Sequence, residues 1–256
     1  MSFTHYNKEA TKPDIIFGVH PILEALHAGK EIEKILILRD GGCFTFREIM
    51  QEAKEKDIPV QRVPVEKLNR LTRANHQGII AFASAISFQP LEQVVMDAFE
   101  SGANPLIVVL DRVTDVRNVG AIARSAECAG ASLLIVPAQG SAQFNADAVK
   151  TSAGALNHLP VHRSPNLKNT LQYLKDSGFS IVAVTEHTNE LYYGAKFDGP
   201  IALLLGSEEN GISKEYMRWV DQKVKIPMTG NTESLNVSVA AGIIIFEVVR
   251  QRNLIK

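Results

Sequence analysis

From Leu106 onward, short continuous apolar runs alternate with segments of helical spacing. The runs are LIVVLD, SLLIVPA, SIVAVTE, IALLLGS and VKIPMTG. Such runs suit strands that are buried on both faces of a parallel sheet. The alternation therefore predicts an open α/β sheet with helices on both faces. Ligands bind such sheets at the carboxyl ends of the strands, so the loops after VVLD, LLLG and KIPM are the candidate site segments.

The rest of the chain is organised around this pattern. Residues 14–88 alternate strand-like and helix-like segments, from IIFGVHPILEALHAG to HQGIIAFAS, and predict a small α/β unit. The polar residues 1–13 predict a disordered lead. Residues 89–104, with Pro90 near one end, Pro105 just beyond the other and a weak helical pattern between, predict a linker that contains at most a helical turn. The larger open-sheet domain then occupies residues 105–256.

Composition excludes several classes of protein. With 45% apolar and 21% charged residues, the chain has an ordinary globular composition. A formal net charge of −1 argues against binding nucleic acid through bulk charge, so any basic face must come from local arrangement. The two distant cysteines, Cys43 and Cys128, give neither a disulfide framework nor a zinc spacing, and Pro160 separates His158 from His162. We therefore expect no metal site.

The sequence also predicts where the protein is found. The first residues, MSFTHYNKEATKPD, contain no apolar stretch of the kind a signal peptide needs. The longest apolar stretch, Val237–Val249, is too short to cross a bilayer, which requires about 20 residues. We therefore expect a reduced, cytoplasmic chain that makes no membrane contact.

The first candidate loop, DRVTDVRNVGAIARSA, covers residues 111–126 and leads from a strand into a helix. Asn118 stands where a helix N-cap belongs, and Gly120 allows the helix to start close to another backbone. Three arginines lie near the same strand end: Arg112, Arg117 and Arg124. Guanidinium groups bind phosphate bidentately, so this loop is a candidate for holding RNA. Alternatively, it is an ordinary capped helix in which Arg124 pairs with Glu127 or Cys128 one turn on.

The second candidate loop, LGSEENGIS, follows another apolar run. Gly206 gives a ligand access to the backbone, and Glu208 lies at a strand end, where packing does not need an acid. The alternative is a plain turn before a helix capped at Ser213.

The glycine spacing of this second loop resembles a P-loop, but Ile212 occupies the position that needs lysine. No G-x-G-x-x-G follows LIVVLD, the first strand predicted for the open sheet, and this disfavours a dinucleotide-dependent dehydrogenase.

The third candidate loop, TGNTESLN, follows the strand KIPM. The helix after it is almost wholly apolar, and we expect it to be buried nearly all round. Its small residues, among them Ser238 and Gly242, permit close backbone approach. Ser234 and Asn236 are both good N-cap residues, which is one explanation for them. The other explanation is that two polar side chains at a buried helix start bind a substrate hydroxyl.

In this order and at three strand ends, the loops resemble the SpoU (TrmH) branch of the SPOUT RNA methyltransferases, over nearly the whole chain. The first motif resembles Asp111…Asn118-Val119-Gly120…Arg124, and the second is similar to Gly206-Ser207-Glu208-Glu209-Asn210-Gly211. The third resembles Ile226-Pro227-Met228…Ser234-Leu235-Asn236-Val237-Ser238. The N-terminal unit, which ends in HQGIIA, is similar to the L30e-like RNA substrate-binding domain of that family.

The resemblance implies an S-adenosylmethionine-dependent enzyme that methylates a ribose 2′-hydroxyl of RNA. It also implies a homodimer, and a C-terminal trefoil knot that holds the cofactor. Backbone groups of Gly206, Ile226 and Leu235 would bind the adenosine part of the cofactor. The catalytic residues implied by the resemblance are Asn118, Arg124, Glu208, Ser234 and Asn236.

The expected substrate is RNA. Within the family, the two-domain layout and the stretch SAQFNADAVKTSAGA most resemble the bacterial 23S rRNA guanosine-2′-O-methyltransferases. A tRNA guanosine-2′-O-methyltransferase is one alternative, and a non-catalytic RNA-binding ribosome-assembly protein is another. The intact polar residues of all three motifs argue against the second alternative. Lys67, Arg70, Arg73 and His76 form a basic stretch that either contacts the RNA backbone or is a solvated helix face.

Overall fold

The computed structural model describes residues 14–39, 44–102, 104–232 and 234–254. The lead predicted for residues 1–13 lies outside the described residues. The strands form two sheets, one of four strands in the N-terminal unit and one of six in the C-terminal unit. Within the described ranges, no helix is both long enough and apolar enough to cross a membrane.

A small mixed sheet and three helices form the N-terminal unit. In chain order the elements are β1 (Ile15–Phe17), α1 (Val19–His27), β2 (Ile32–Leu38), α2 (Phe44–Glu55), β3 (Val60–Val63), α3 (Val65–Leu71) and β4 (Ile79–Ala83). The strand order is β1-β4-β2-β3, with β2 and β3 parallel and the other pairs antiparallel. Helices α1 and α2 bury Ile22 and Ile49 against one face of the sheet, and α3 buries Leu68 against the other.

The second sheet consists of six parallel strands. Five of them overlap the predicted apolar runs, whereas the strand at Val161–Ser164 was not predicted. The prediction that KIPM is a strand is wrong, because the last strand covers Gln222–Val224 and ends before it. The elements of this unit are α4 (Leu91–Glu100), β5 (Leu106–Leu110), α5 (Val116–Cys128), β6 (Leu133–Pro137), α6 (Ala146–Thr151), β7 (Val161–Ser164), α7 (Leu167–Asp176), β8 (Ser180–Val184), β9 (Ile201–Leu205), β10 (Gln222–Val224) and α8 (Val237–Leu254). Short 3₁₀ helices occupy Ala155–Asn157, Tyr192–Gly194 and Lys214–Tyr216.

Both faces of the six-stranded sheet are covered. Val108 of β5 points into a core shared with α5, α6 and α8, whereas Ile107 and Val109 point into a core shared with α4 and α7. All three side chains are at most 1% exposed. Burial on both faces explains why the strands appear in the sequence as unbroken apolar runs.

The strand order β10-β8-β9-β5-β6-β7 contains a reversal at its centre. Strands β6 and β7 extend the sheet on one side of β5, and β8, β9 and β10 lie on the other. The loops that follow β5 and β9 therefore leave the sheet side by side, and the backbone N–H of Asp111 donates to the carbonyl of Leu205 at 2.8 Å. Open α/β sheets bind their ligands at such a junction.

Residues 89–104, for which we predicted a linker, contain the ten-residue helix α4. Leu91 and Val95 are 4% and 3% exposed and pack into the core beneath α7. Met96, on the same helix, is 54% exposed. This segment therefore packs as part of the C-terminal unit.

We expect Leu91→Ala to lower the free energy of unfolding by about 2–5 kcal/mol, because it leaves a cavity in a well-packed core. Met96→Ala is the matched control, and it should stay within about 0.5 kcal/mol of the wild type because the side chain is exposed. Urea denaturation of both variants gives the comparison. Equal, small effects would mean that the segment is an unpacked linker.

Candidate active site

Helix α5 begins three residues earlier than the sequence suggested, and this changes the role of Asn118. The N-cap is Asp115, whose Oδ1 accepts a hydrogen bond from the backbone N–H of Arg117 at 2.8 Å. The prediction that Asn118 caps the helix is therefore wrong. Aspartate caps a helix as well as asparagine does, and its place before Val116 was the available signal. The Asn118 side chain projects instead toward the other two loops.

Asn118, Glu208 and Asn236 meet in one hydrogen-bonded cluster, which we call the polar triad. Nδ2 of Asn118 donates to Oε1 of Glu208 at 3.1 Å. Nδ2 of Asn236 donates to the same oxygen at 2.6 Å and to Oδ1 of Asn118 at 2.9 Å. The backbone N–H of Val237 adds a bond to Glu208 Oε1 at 3.2 Å. One carboxylate oxygen thus collects three N–H donors and fixes the two amides relative to each other.

Asn236 has a second role, because it also caps helix α8. Its Oδ1 accepts hydrogen bonds from the backbone N–H groups of Ser238 at 3.0 Å and Val239 at 3.4 Å. The Ser238 hydroxyl donates to the same oxygen at 2.5 Å. The capping explanation for Asn236 is confirmed, while its amide nitrogen is turned toward the triad. The sequence suggested only a packing role for Ser238, although a serine two residues after a cap was a usable signal.

Gly206 is required by its own loop. A Cβ on Gly206 would lie 2.1 Å from the carbonyl carbon of Gly211 and 2.3 Å from the nitrogen of Ile212, both of which are backbone atoms. The loop closes on itself through a hydrogen bond from the Gly211 N–H to the Ser207 carbonyl at 2.9 Å. Only glycine permits this close approach, whether or not a ligand also uses the exposed backbone.

Asp111 links the loop after β5 to the loop after β9. It is 1% exposed, and its Oδ2 accepts the backbone N–H of Ser213 at 2.7 Å. Arg112, whose φ of 56° lies in the left-handed region, donates from Nε to Asp111 Oδ1 at 3.1 Å and from Nη2 to the Gly211 carbonyl at 3.3 Å. The guanidinium predicted to hold RNA phosphate is thus engaged within the protein, and RNA would have to replace these bonds.

Arg124 and Ser234, the other two predicted catalytic residues, lie outside the triad. Both are exposed, and neither side chain forms a hydrogen bond or ion pair with another described residue. The alternative pairing of Arg124 with Glu127 is therefore not found among the described residues. Arg117 is also exposed, but its Nη2 lies 2.8 Å from Oδ2 of Asp115. Hydrogen bonding to Arg117 lowers the pKa of Asp115.

Gly206, Ile226 and Leu235, the predicted cofactor-binding residues, offer backbone groups and apolar surface. Among the described residues, no backbone hydrogen bond outside helices and strands involves any of the three. The Ile226 side chain is half-buried against the core beneath α8, and Leu235 is half-buried as well. Unpaired peptide groups beside apolar side chains suit recognition of an adenine ring. In the part of the chain that the structure describes, no group of three or more His, Cys, Asp or Glu could hold a metal ion.

The predicted RNA-contacting residues of the N-terminal unit are all exposed: Lys67, Arg70 and Arg73. The first two lie three residues apart on α3, so they share a helix face, and the third follows the end of the helix. His76, which the sequence places beside them, is 9% exposed and bonds to Asn69 Oδ1 at 2.9 Å. The basic surface therefore consists of the three long side chains without the histidine.

Known protein families match both units of the chain. Residues 105–246 match the SpoU rRNA Methylase family, and residues 15–89 match the domain described as RNA 2′-O ribose methyltransferase substrate binding. The chain belongs to the SpoU methylase family. The family prediction from the three loop motifs is thereby confirmed.

Relatives of this family member span nearly its whole length. A Staphylococcus aureus protein named as a TrmH family tRNA/rRNA methyltransferase is 35% identical over 239 residues, which are 93% of this chain and 96% of that protein. The SpoU methyltransferase AviRb from Streptomyces viridochromogenes, in complex with the cofactor AdoMet, has a TM-score of 0.59 and 26% identity over 98% of this chain and 95% of its own. An AdoMet-bound rRNA methyltransferase from Sinorhizobium meliloti has a TM-score of 0.58 and 25% identity, covering 94% and 88%.

These matches confirm three of the expectations from the sequence. The fold is a small N-terminal α/β unit followed by the open parallel sheet of the knotted SPOUT fold. The cofactor is S-adenosylmethionine. The enzyme class is an RNA ribose 2′-O-methyltransferase.

We expect Gly206→Ala to destabilise the protein by about 2 kcal/mol or more, because the added methyl group meets backbone that must move. The affinity for S-adenosylmethionine should fall as well, since the same loop carries a predicted cofactor contact. Urea denaturation and calorimetric titration measure the two effects. Gly194→Ala is the control, because nothing lies within 4 Å of its added Cβ. Equal stability of the two variants would contradict the loop geometry described here.

Proposed function

We propose that this enzyme methylates the ribose 2′-hydroxyl of a guanosine in 23S rRNA, in the cytoplasm. The observation that carries the proposal is the polar triad, which assembles all three family motifs at the β5/β9 junction. The Sinorhizobium meliloti structure is named an rRNA methyltransferase, which supports rRNA as the substrate class. A tRNA guanosine is the second candidate, because the Staphylococcus aureus relative is named for both RNAs.

In the proposed site, backbone groups of Gly206, Ile226 and Leu235 hold the adenosine part of the cofactor. Their unpaired peptide groups and the half-buried side chains of the latter two support this assignment. When bound, the cofactor supplies an electrophilic methyl group on a sulfonium. The chain must then place the ribose 2′-hydroxyl in line with that methyl and help remove the proton of the hydroxyl. Positioning makes the larger contribution to the rate enhancement.

The members of the polar triad have different capacities to bind ribose. Nδ2 of Asn236 has two N–H groups, and both are used, toward Asn118 and Glu208. Nδ2 of Asn118 makes one hydrogen bond among the described residues, which leaves its second N–H for a ligand. We therefore assign Asn118, with the exposed hydroxyl of Ser234, to the ribose, and assign Glu208 and Asn236 to holding Asn118 in place.

Arg124 is assigned as a clamp on the RNA phosphate and the attacking hydroxyl. It lies on the same helix as Asn118, and its guanidinium is exposed and bonded to no described residue. A general-base role is disfavoured because a guanidinium is effectively never deprotonated in a protein. The proton then leaves late, to a phosphate oxygen or to water.

Arg124→Lys keeps the positive charge but loses the planar fork, so we expect kcat to fall by about tenfold or more. The affinity for S-adenosylmethionine should be unchanged. Multiple-turnover methylation of RNA from cells that lack the gene, at saturating RNA and S-adenosylmethionine, gives kcat. Arg218→Lys is the control, because Arg218 is exposed and stacks on Trp219 at 4.0 Å. A near-normal rate with an unshifted pH profile would argue against the clamp.

We also propose that the enzyme is a homodimer. Helix α8 was expected to be buried nearly all round, and that expectation is wrong for the single chain, in which Val239 is 49% and Phe246 48% exposed. The two residues lie seven apart and so share a helix face, opposite the buried Ala241 and Val248. An exposed apolar face of this kind suits contact with a second copy. Light scattering of the wild-type protein gives the mass that decides between monomer and dimer.

The substrate assignment is tested by mapping ribose methyl groups in a strain that lacks the gene. Mass spectrometry of its rRNA and tRNA should show the loss of one 2′-O-methylguanosine from 23S rRNA. Its return on expression of the wild-type gene, but not of the Asn118→Ala variant, would tie the methyl group to this site. Loss from tRNA alone would favour the second candidate. If no methyl group is lost from either RNA, the protein is not the methyltransferase proposed here.

A further inference from the structure

Strand β2 carries a bulge that presents two carbonyl groups toward the C-terminal unit. In its pairing with β4, Ile32 lies opposite Ala83 and Lys34 opposite Phe82, so Glu33 is the extra residue. A bulge leaves backbone groups outside the ladder, where other parts of a protein can bond to them. Here the carbonyls of Ile32 and Glu33 both accept hydrogen bonds from a single side chain of the other unit.

That side chain is Arg163, on the edge strand β7 of the six-stranded sheet. Its Nη1 lies 2.9 Å from the carbonyl oxygen of Ile32 and 2.9 Å from that of Glu33. The guanidinium stacks over the ring of Phe88, 4.3 Å from the centroid, and the residue is 8% exposed. Arg163 forms no ion pair with any described carboxylate, so its bonds are to backbone and its contact is to a ring.

The groups around Arg163 are buried between the two units, and further hydrogen bonds cross the same boundary. Burial raises the pKa of Glu33, with the Arg163 charge opposing the shift, and Oε2 of Glu33 has no hydrogen-bond partner. Separation of the units would return both charges to water, so their burial costs free energy that the contact must offset. The connecting segment also bonds across the boundary, from the Ala85 N–H to the Phe144 carbonyl at 2.8 Å and from the Gln89 N–H to the Val161 carbonyl at 2.8 Å.

We propose that Arg163 is a positioning residue that holds the RNA substrate-binding unit at one fixed place relative to the polar triad. RNA that is bound to the N-terminal unit then lies at a fixed distance from the polar triad, and this distance determines which nucleotide is methylated. The part of the inference that concerns nucleotide choice rests on the proposed function. The part that concerns the contact between the units does not.

The contact itself is tested by amide hydrogen exchange on the full-length protein. Arg163→Met should speed exchange of the Ala85 and Gln89 amides by about tenfold or more, because local opening becomes easier. Arg163→Lys, which can still donate to both carbonyls, should restore part of the protection. Arg218→Met is the control, since Arg218 is exposed and stacks on Trp219 within the C-terminal unit, and it should exchange like the wild type. Wild-type exchange rates in Arg163→Met would overturn the proposal.

The consequence for RNA is tested with the same variants on unmethylated rRNA and tRNA from cells that lack the gene. Arg163→Met should raise KM by about tenfold or methylate additional positions, with kcat and the affinity for S-adenosylmethionine near wild type. A merely structural defect would lower the melting temperature and the cofactor affinity together, and that result would overturn the proposal. Faster exchange with unchanged KM and unchanged methylation sites would overturn the role in nucleotide choice. If the wild-type protein methylates neither RNA, the proposed function fails, while the exchange rates still decide the contact.

Discussion

The side-by-side placement of β5 and β9 is the constraint on which the rest of the site depends. Because the strand order reverses there, the loops after both strands leave the same edge of the sheet. Asp111 holds that edge together from inside, through its bonds to the second loop and to Arg112. The helix that starts after β5 then lies close enough for Asn118 to reach Glu208, which belongs to a segment 90 residues further along the chain.

Most of the polar groups at this junction form hydrogen bonds within the protein itself. Glu208 accepts three N–H groups, Asn236 caps α8 and Arg112 joins two loops. Such bonds remove the freedom of the side chains before a ligand arrives, which is what a reaction governed by positioning requires. Arg124 and Ser234 are the exceptions, since both side chains remain exposed and bonded to no described residue.

The sequence predicted those features whose signal is local. The apolar runs predicted the sheet because β5, β6, β8 and β9 are buried on both faces, whereas the knot followed only from the family resemblance. Residue preferences for helix capping failed where two candidates were close together. Both Asp115 and Asn118 are good N-cap residues, and only the three-dimensional structure shows that α5 begins after Asp115. The burial of Leu91 depends on distant partners. The bulge at Glu33 has no residue-type signal, so the role of Arg163 was not predictable.

The double use of Asn236 affects how this family should be compared across genomes. Loss of the Asn236 cap of α8 costs about 1 kcal/mol of stability, so selection for stability alone would favour keeping Asn236 in a lineage that had stopped modifying RNA. Asn118 caps nothing, because Asp115 does so, and its side chain bonds only within the triad among the described residues. Of the two asparagines, Asn118 is therefore the position at which decay of activity would first become visible in an alignment.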